Sequence, residues 1–271
     1  MTVPFENDTG NIVRKLARKS LKSEKRRNLM VVIAVALASC LICFSIVMAL
    51  STRQIEKNHV EDTYEAVYTR ITEEDVSTLK GLDDFSRVGE YYMLAVEPAE
   101  QGYNASYIYC DEETMYIARD QMKLLEGRLP QKEDEVVVSR YFLSNYGADA
   151  GIGEKVMLSS ESFHGEYTVT GIMEGYKEKE VNGSSILLSK EALKGWSGYD
   201  PADYRAYVHF KNEQQMDETE LTARSREIAK EYQLEMPIMN LSYMKFYKQP
   251  VNVSMLALVA GIAVLVIIGG Y

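Results

Sequence analysis

The sequence predicts an α+β domain that lies outside the cytoplasm and is inserted between two transmembrane helices. Two blocks without charged residues, 29–50 and 251–271, are each long enough to cross a hydrocarbon core of about 30 Å. Between them, short strand-like segments are mixed with helical ones without regular βα alternation, which is typical of an α+β domain. The charge is divided in the same way. Residues 1–30 carry eight basic and three acidic side chains, and residues 51–250 carry 22 basic and 37 acidic ones.

Residues 1–28 form a basic lead, in which residues 11–28 predict a short amphipathic helix. Apolar residues recur there at near-helical spacing, and basic residues occupy the other positions. Such a helix is suited to lie on the inner membrane face, with membrane lipid as its partner. Two interpretations stay open: the lead is only the positive flank of a membrane helix, or it also contacts a cytoplasmic partner. The candidate coupling residues are Arg14, Lys15, Arg18, Lys19, Lys22, Lys25, Arg26 and Arg27.

Residues 29–50 are predicted to form the first transmembrane helix. This apolar run and the lead before it are both too long for a cleaved secretory signal. A lipoprotein signal with its lipid on Cys40 is the other alternative, but the chain stays apolar after that cysteine instead of becoming polar. The basic residues before the helix place the N-terminus in the cytoplasm and residues 51–250 outside it.

Residues 251–271 are predicted to form a second helix that returns across the membrane, which makes the protein a multi-pass protein of the cell membrane. Their polar interruptions, Asn252 and Ser254, lie near the start of the block. The chain stops at Tyr271 without a charged flank. We therefore expect it to be the N-terminal piece of a longer polypeptide.

The outer domain, residues 51–250, is predicted to begin with a helical stalk over 51–71. That segment contains no Gly or Pro, and apolar residues recur from Tyr64 to Ile71 at the i, i+3, i+4 and i+7 positions of one helix face. Thr72 to Asp75 then predict the cap of a second short helix that ends near Gly81.

The rest of the outer domain alternates between strand-like and helical segments. Seven strands are predicted at 91–96, 105–110, 135–138, 155–158, 167–173, 185–188 and 205–210. Helices are predicted at 139–146, 189–194 and 217–232. The last of them has a capping pair, Asp217 and Glu220, at its start.

The sequence contains no set of residues that indicates an enzyme, a cofactor or a metal site. Its three histidines, His59, His164 and His209, are scattered, and we interpret each as structural or solvated. It has no nucleophile elbow and no phosphate-binding loop. The acidic balance argues against a nucleic-acid partner. A group of tyrosines within 91–116 suits either an exposed sheet face or a ligand-binding surface.

Four segments in the middle of the chain follow one another in a characteristic order. LLEGRLP at 124–130 precedes DEVVVS at 134–139, and GIGEKV at 151–156 precedes YTVTGI at 167–172. This order, together with the basic lead, resembles the extracytoplasmic core of FtsX-like, MacB-type ABC transporter permeases. Each segment also has a physical role, because glycine and proline shape turns and the apolar runs form strands. The residues that carry the resemblance are Gly127, Arg128, Pro130, Glu135, Gly153 and Gly171.

The resemblance implies a non-catalytic membrane subunit that works with a cytoplasmic ABC ATPase subunit and with a second permease copy or permease half. In such proteins, ATP-driven movement of membrane helices is coupled to the outer domain for export or mechanotransmission. The alternative is the extracellular sensor domain of a signalling receptor, anchored by two helices. More membrane spans beyond Tyr271 would favour the permease, and a soluble signalling region would favour the sensor.

Overall fold

The computed structural model describes residues 10–23, 25–61, 63–118, 122–146, 150–175, 178 and 182–248. They belong to two compact units. One includes the N-terminal helices up to Ile55, and the other is the α+β domain, Glu56–Gln249. The predicted second transmembrane helix, 251–271, lies outside the described residues.

Two helices open the described chain: α1 spans Gly10–Ser23 and α2 spans Lys25–Val60. The sequence predicts one basic helix over 11–28, but α2 already begins at Lys25. The last basic residues of the lead therefore form the first turn of α2. Among the described residues, Leu29–Asn58 is the one helix that is long and apolar enough to cross a membrane. It contains the predicted first transmembrane helix.

The predicted helical stalk over 51–71 is wrong beyond Val60. There α2 ends, and Thr63 donates its N–H and its hydroxyl to the Val60 carbonyl at 3.2 and 2.8 Å. Residues 66–71 form a strand instead. The apolar spacing was ambiguous because this strand is buried on both faces: Tyr68 packs in one core cluster and Val67 in another. A strand with two buried faces does not alternate between apolar and polar residues.

The α+β domain contains ten strands in one sheet among its described residues. The strands are β1 Ala66–Ile71, β2 Phe85–Pro98, β3 Asn104–Cys110, β4 Met122–Gly127, β5 Glu135–Ser139, β6 Lys155–Ser159, β7 His164–Gly175, β8 Gly183–Leu188, β9 Tyr204–Phe210 and β10 Ile238–Met239. The helices are α3 Glu73–Lys80, α4 Glu112–Ile117, α5 Arg140–Asn145, α6 Lys190–Gly195, α7 Glu218–Glu231 and α8 Leu241–Tyr243. A 3₁₀ turn spans Glu213–Gln215, and a π-helical turn, Met244–Lys248, follows α8.

Four strands at one end of the sheet, in the order β10-β1-β9-β2, are antiparallel to their neighbours. Because α3 connects β1 to β2 and α7 connects β9 to β10, these elements have the split βαβ topology of ferredoxin-like folds. Both helices pack in the same core cluster, through Val76 and Leu79 of α3 and Leu221 and Ile228 of α7. In this chain the connection from β2 to β9 is a long insertion, residues 99–203.

The insertion extends the same sheet in the order β3-β8-β5-β7-β4. Strand β3 pairs with β2 and joins the two halves, and the pairs β3–β8 and β5–β7 are parallel. Strand β7 pairs with β5 along one edge and, along its other edge, with β6 and then β4. Lys155 of β6 lies opposite Thr168, and Gly127 of β4 lies opposite Gly171. The four segments noted in the sequence meet where β4 ends and β6 begins.

The seven predicted strands and the helices predicted at 139–146, 189–194 and 217–232 are confirmed, with small shifts at their ends. Thr72 accepts the Asp75 N–H at 3.1 Å, as predicted for the cap of α3, and Asp217 accepts the Glu220 N–H at 2.8 Å at the start of α7. No pattern in the sequence predicted β1, the first half of β2, α4, β4 or β10. The fold class, a mixed α+β domain that follows an apolar helix, is as predicted.

Candidate functional site

The residues that carry the family resemblance come together at one place, which we call the glycine junction. At its centre, β4 leaves the sheet at Gly127, where φ is +81° and an added Cβ would lie 2.2 Å from the Thr170 carbonyl oxygen. Gly171 is also in close contact, because its added Cβ would lie 2.8 Å from the Arg128 carbonyl oxygen. Gly153 also has a positive φ, +87°, but an added Cβ there would have no neighbour within 4 Å. Close approach of two backbones therefore requires the first two glycines, and the backbone angle alone favours the third.

An ion pair between Arg128 and Glu135 closes the glycine junction. The two guanidinium nitrogens Nη1 and Nη2 each donate to one Glu135 oxygen at 2.8 Å. Glu135 also accepts the N–H groups of Gln131 and Lys132, at 2.9 and 3.3 Å. These contacts, the Arg128 guanidinium first, lower the pKa of Glu135 to about 2. Half-buried Pro130 lies inside the same turn, where its fixed φ restricts the backbone before Gln131.

A second group, which we call the base cluster, consists of Glu65, His209 and Asn240. The Glu65 side chain is fully buried; its Oε1 lies 2.7 Å from His209 Nδ1, and its Oε2 accepts the Phe210 N–H at 2.7 Å. Asn240 donates its backbone N–H to the Glu65 carbonyl at 2.8 Å and its Nδ2 to the Tyr64 carbonyl at 2.9 Å. Three segments that are far apart in the chain are therefore joined at one buried point.

Asn240 also orders the last described segment. Its Oδ1 accepts the N–H groups of Ser242 and Tyr243, at 3.1 and 3.2 Å, and so caps α8. One asparagine thus connects β1, which follows α2, with the helical segment that precedes the apolar block 251–271. The base cluster lies where the chain enters the sheet and where it leaves it.

The pKa of His209 is raised above its ordinary value of 6.5. Burial alone would lower it, because burial disfavours the charged ring. The hydrogen bond to Glu65 and its negative charge outweigh burial, and Glu213 and a hydrogen bond to the Thr63 backbone act in the same direction. The protonated ring is therefore the form that the base cluster favours.

A charged network joins the ferredoxin-like half to the insertion. Lys190, at the start of α6 in the insertion, lies 2.7 Å from a Glu73 oxygen on α3 and 2.6 Å from a Glu90 oxygen on β2. Burial lowers the pKa of Lys190, but these two carboxylates outweigh that effect and raise it. Lys190 bridges both carboxylates, and the Glu90 side chain is only 8% exposed, so this network resists separation of the two halves.

The basic lead is divided between two helices. Arg14, Lys15, Arg18, Lys19 and Lys22 are on α1, and Lys25, Arg26 and Arg27 are in the first turn of α2. On α1 the apolar side chains of Ile12, Val13 and Leu16 are exposed, each by about three fifths. At helical spacing Arg14 and Arg18 lie opposite these apolar residues and Lys19 borders them, so α1 has an apolar side and a basic side.

The tyrosine group and His209, both noted in the sequence, are largely or partly buried. Tyr91, Tyr92, Tyr103 and Tyr107 are buried in the core, so this part of the tyrosine group does not form an exposed ligand surface. His209, interpreted as structural or solvated, is partly buried and paired with Glu65. Among the described residues, no group of three His, Cys, Asp or Glu side chains is arranged to hold a metal ion.

The chain belongs to the family of proteins with a MacB-like periplasmic core domain, which matches residues 29–226. This membership and the apolar helix identify a membrane protein of the permease class. It agrees with the resemblance found in the sequence segments, all of which lie inside the matched range. No curated protein matches the chain significantly.

Three solved structures are similar to the chain at low sequence identity. The extracellular domain of the noncanonic ABC-type transporter YknZ from Gram-positive bacteria is 15% identical, with a TM-score of 0.46 over 66% of this chain and 100% of that one. A domain of a putative permease protein from Porphyromonas gingivalis is 16% identical, with a TM-score of 0.44 over 72% and 96%. The periplasmic region of MacB from Actinobacillus actinomycetemcomitans is 11% identical, with a TM-score of 0.46 over 69% and 92%.

Proposed function

We propose that this chain is part of a non-catalytic permease subunit of an ABC transporter, in which the α+β domain moves when a cytoplasmic partner hydrolyses ATP. The role of permease subunit is supported by membership of the family with a MacB-like periplasmic core domain. The N-terminus is cytoplasmic in this proposal, residues 51–250 are outside, and 251–271 is a second span.

The observation that carries the coupling is the position of the base cluster. Strand β1, reached from α2, pairs with β10, which leads towards the second apolar block: Ala66 lies opposite Met239 and Val67 opposite Ile238. Asn240 and Glu65 add hydrogen bonds across the same two segments. Displacement of either membrane segment is therefore applied at adjacent strands of one sheet, and a sheet transmits it as a unit because its packed core resists deformation.

The basic lead is the cytoplasmic side of this proposal. Exposed apolar side chains on α1 suit burial at the lipid surface, and its basic side attracts anionic lipid or acidic groups of the ATPase. The lead continues directly into the membrane helix, because Lys25, Arg26 and Arg27 are part of α2. A partner that pulls on the lead therefore acts on the first membrane span.

The test is purification of the natural full-length polypeptide from its own membrane, followed by identification of bound ATPases and measurement of ATP hydrolysis. We expect an ABC ATPase to co-purify. We expect Asn240→Ala to reduce coupling, measured as the change in ATPase activity when the subunits are combined, while leaving the association intact. Asn104→Ala is the control, because Asn104 is exposed at the start of β3. Absence of any ATPase partner, or equal effects of the two substitutions, would contradict the proposal.

A further inference from the structure

The connection from α2 to β1 is short and is bound to β9. Helix α2 ends at Val60 and β1 begins at Ala66, so five residues join them. The last of these, Glu65, has a fully buried side chain and donates its N–H to the Val208 carbonyl of β9 at 3.0 Å. We call residues 61–65 the entry connection. The path of the chain from the apolar helix into the sheet thus depends on contacts with β9.

His209, on β9, binds the entry connection with its imidazole ring. Its Nδ1 lies 2.7 Å from Glu65 Oε1, and the ring also has a hydrogen bond to the Thr63 backbone. The Thr63 N–H is already donated to the Val60 carbonyl, so the Thr63 carbonyl is the group that accepts from the ring. A protonated ring has two N–H groups to donate, and a neutral ring has one. A carboxylate and a carbonyl around one ring therefore favour the charged form.

The charges around His209 favour the same form. Glu213, on the 3₁₀ turn that follows β9, adds a second negative charge near the ring. Asn240, which contacts Glu65 from the β10 side, is neutral. The cations on neighbouring elements have partners of their own: Arg87 pairs with Glu113, Lys211 pairs with Asp83, and Lys248 donates to the Glu213 carbonyl.

Loss of the second ring proton leaves Glu65 with a buried negative charge. Its Oε2 still accepts the Phe210 N–H, but His209 then carries no positive charge to offset that of the carboxylate. A buried carboxylate that has lost its cation is strongly destabilised. Strand β9 is held between β1 and β2 in the sheet, so the carboxylate regains water when the entry connection moves away from β9.

We propose that His209 and Glu65 form a proton-dependent latch on the entry connection. The latch holds the connection on β9 while the ring is charged, and it releases the connection when the ring loses a proton as the pH rises. It consists of contacts within the α+β domain and needs no ATPase. Its effect on transport rests on the proposed function, in which residues 51–250 are outside the cytoplasm. The external pH then sets how firmly the first membrane segment is joined to the sheet.

The experiment is amide hydrogen exchange of the full-length polypeptide in detergent, followed by mass spectrometry at pH 6, at pH 9 and at steps between them. Each exchange rate is divided by the intrinsic rate of an unstructured peptide at the same pH. The Phe210 N–H reports directly on the latch because it donates to Glu65. We expect the segments that contain Glu65 and Phe210 to exchange about tenfold faster at pH 9, because a hydrogen bond to a charged group is lost. Strand β5, Glu135–Ser139, should keep its rate.

Three variants separate the latch from a general effect of pH. His209→Gln still offers an amide N–H to Glu65 but does not titrate, so the pH-dependent step in exchange should disappear. Glu65→Gln keeps an acceptor for the Phe210 N–H and removes the negative charge, so the step should move to lower pH. His164→Gln, at an exposed histidine of the same domain, is the control and should keep the natural step.

A natural protein without the step would overturn the proposal. So would a step that remains in His209→Gln, or one of equal size in β5, because the domain then loosens as a whole. A step that Glu65→Gln leaves in place or moves to higher pH would also overturn it, and this outcome does not depend on how well His209→Gln folds. Exchange is measured without the ATPase, so failure of an ATPase to co-purify contradicts the proposed function and leaves the latch in place.

Discussion

The glycine junction and the base cluster both hold a carboxylate against a cation, but their surroundings differ. At the junction the Arg128 side chain is 50% exposed, whereas at the base the His209 side chain is 15% exposed and Glu65 is fully buried. Solvent screens the first pair, so the close backbone approach at Gly127 contributes more to the junction than the charge does. In the base cluster a buried group that loses its partner, such as the Phe210 N–H, stays buried and unsatisfied. The glycine junction is thus stabilised mainly by its backbone conformation, and the base cluster by its polar contacts.

The largest effect is expected from Glu65→Ala. The substitution removes the partner of His209 and of the Phe210 N–H, and breaking a buried pair costs about 3–5 kcal/mol of unfolding free energy. Urea unfolding in detergent, followed by the fluorescence of the single Trp196, measures it. Glu166→Ala is the control, since Glu166 pairs with Lys155 at an exposed position and should change stability by less than about 1 kcal/mol. Equal losses would show that burial does not distinguish the two regions.

At the glycine junction, Gly127→Ala is expected to cost about 3 kcal/mol, because the added Cβ meets the Thr170 carbonyl oxygen and the left-handed backbone angle disfavours alanine. Gly153→Ala is the matched control. It has a similar φ but open space around the added Cβ, so a cost of about 1 kcal/mol is expected. The same unfolding measurement separates close approach from backbone angle. If both variants lose the same stability, then the approach of β4 to β7 is not what requires Gly127.

These two regions also differ in how well the sequence predicted them. The residues of the glycine junction lie within 45 positions of one another, and glycine and proline mark turns directly, so the segments could be recognised. The base cluster brings together Glu65, His209 and Asn240, which no local pattern connects. In the sequence, nothing distinguishes Glu65 from the many other acidic residues of this domain. Only the pairing of β1 with β9 and β10 places these three side chains together.

The same reason explains which elements of the fold were missed. Strands with clear β-branched runs, such as Glu135–Ser139, were predicted almost to the residue. The apolar spacing of β1 predicts a helix because tertiary contacts bury both faces of this strand, which removes the alternation that a half-exposed strand shows. The insertion of 99–203 into a ferredoxin-like unit also escaped prediction, since it depends on which strands become neighbours.

The two ion pairs are also expected to respond differently to pH, because the partner of Glu65 is a histidine and the partner of Glu135 is an arginine. The pKa of His209 is raised above 6.5, so its pairing with Glu65 is lost as pH rises through the folded value. Burial raises the pKa of Glu65 above 4.5, so the pair also weakens in acid, when that carboxyl is protonated. We expect the stability difference between the natural protein and His209→Gln to be about 1.5–3 kcal/mol at pH 6 and to shrink towards pH 9. Thermal unfolding at both pH values measures it. A stability difference that increases with pH would contradict the conclusion that the folded protein favours the protonated His209 ring.

The smallest effect is expected from Arg128→Gln, and its pH dependence has the opposite sign. The pKa of Glu135 is lowered from 4.5 to about 2, so the ion pair contributes above pH 4.5 and is lost as pH falls towards 2. We expect the unfolding temperatures of the natural protein and Arg128→Gln to differ slightly at pH 7 and to converge near pH 2. Added salt at pH 7 should narrow the same gap, because Arg128 is half exposed. His209→Gln is the control for salt, since a buried pair is screened less. If the difference in unfolding temperature between the natural protein and Arg128→Gln persists at pH 2 and in high salt, then Arg128 acts through packing and not through its charge.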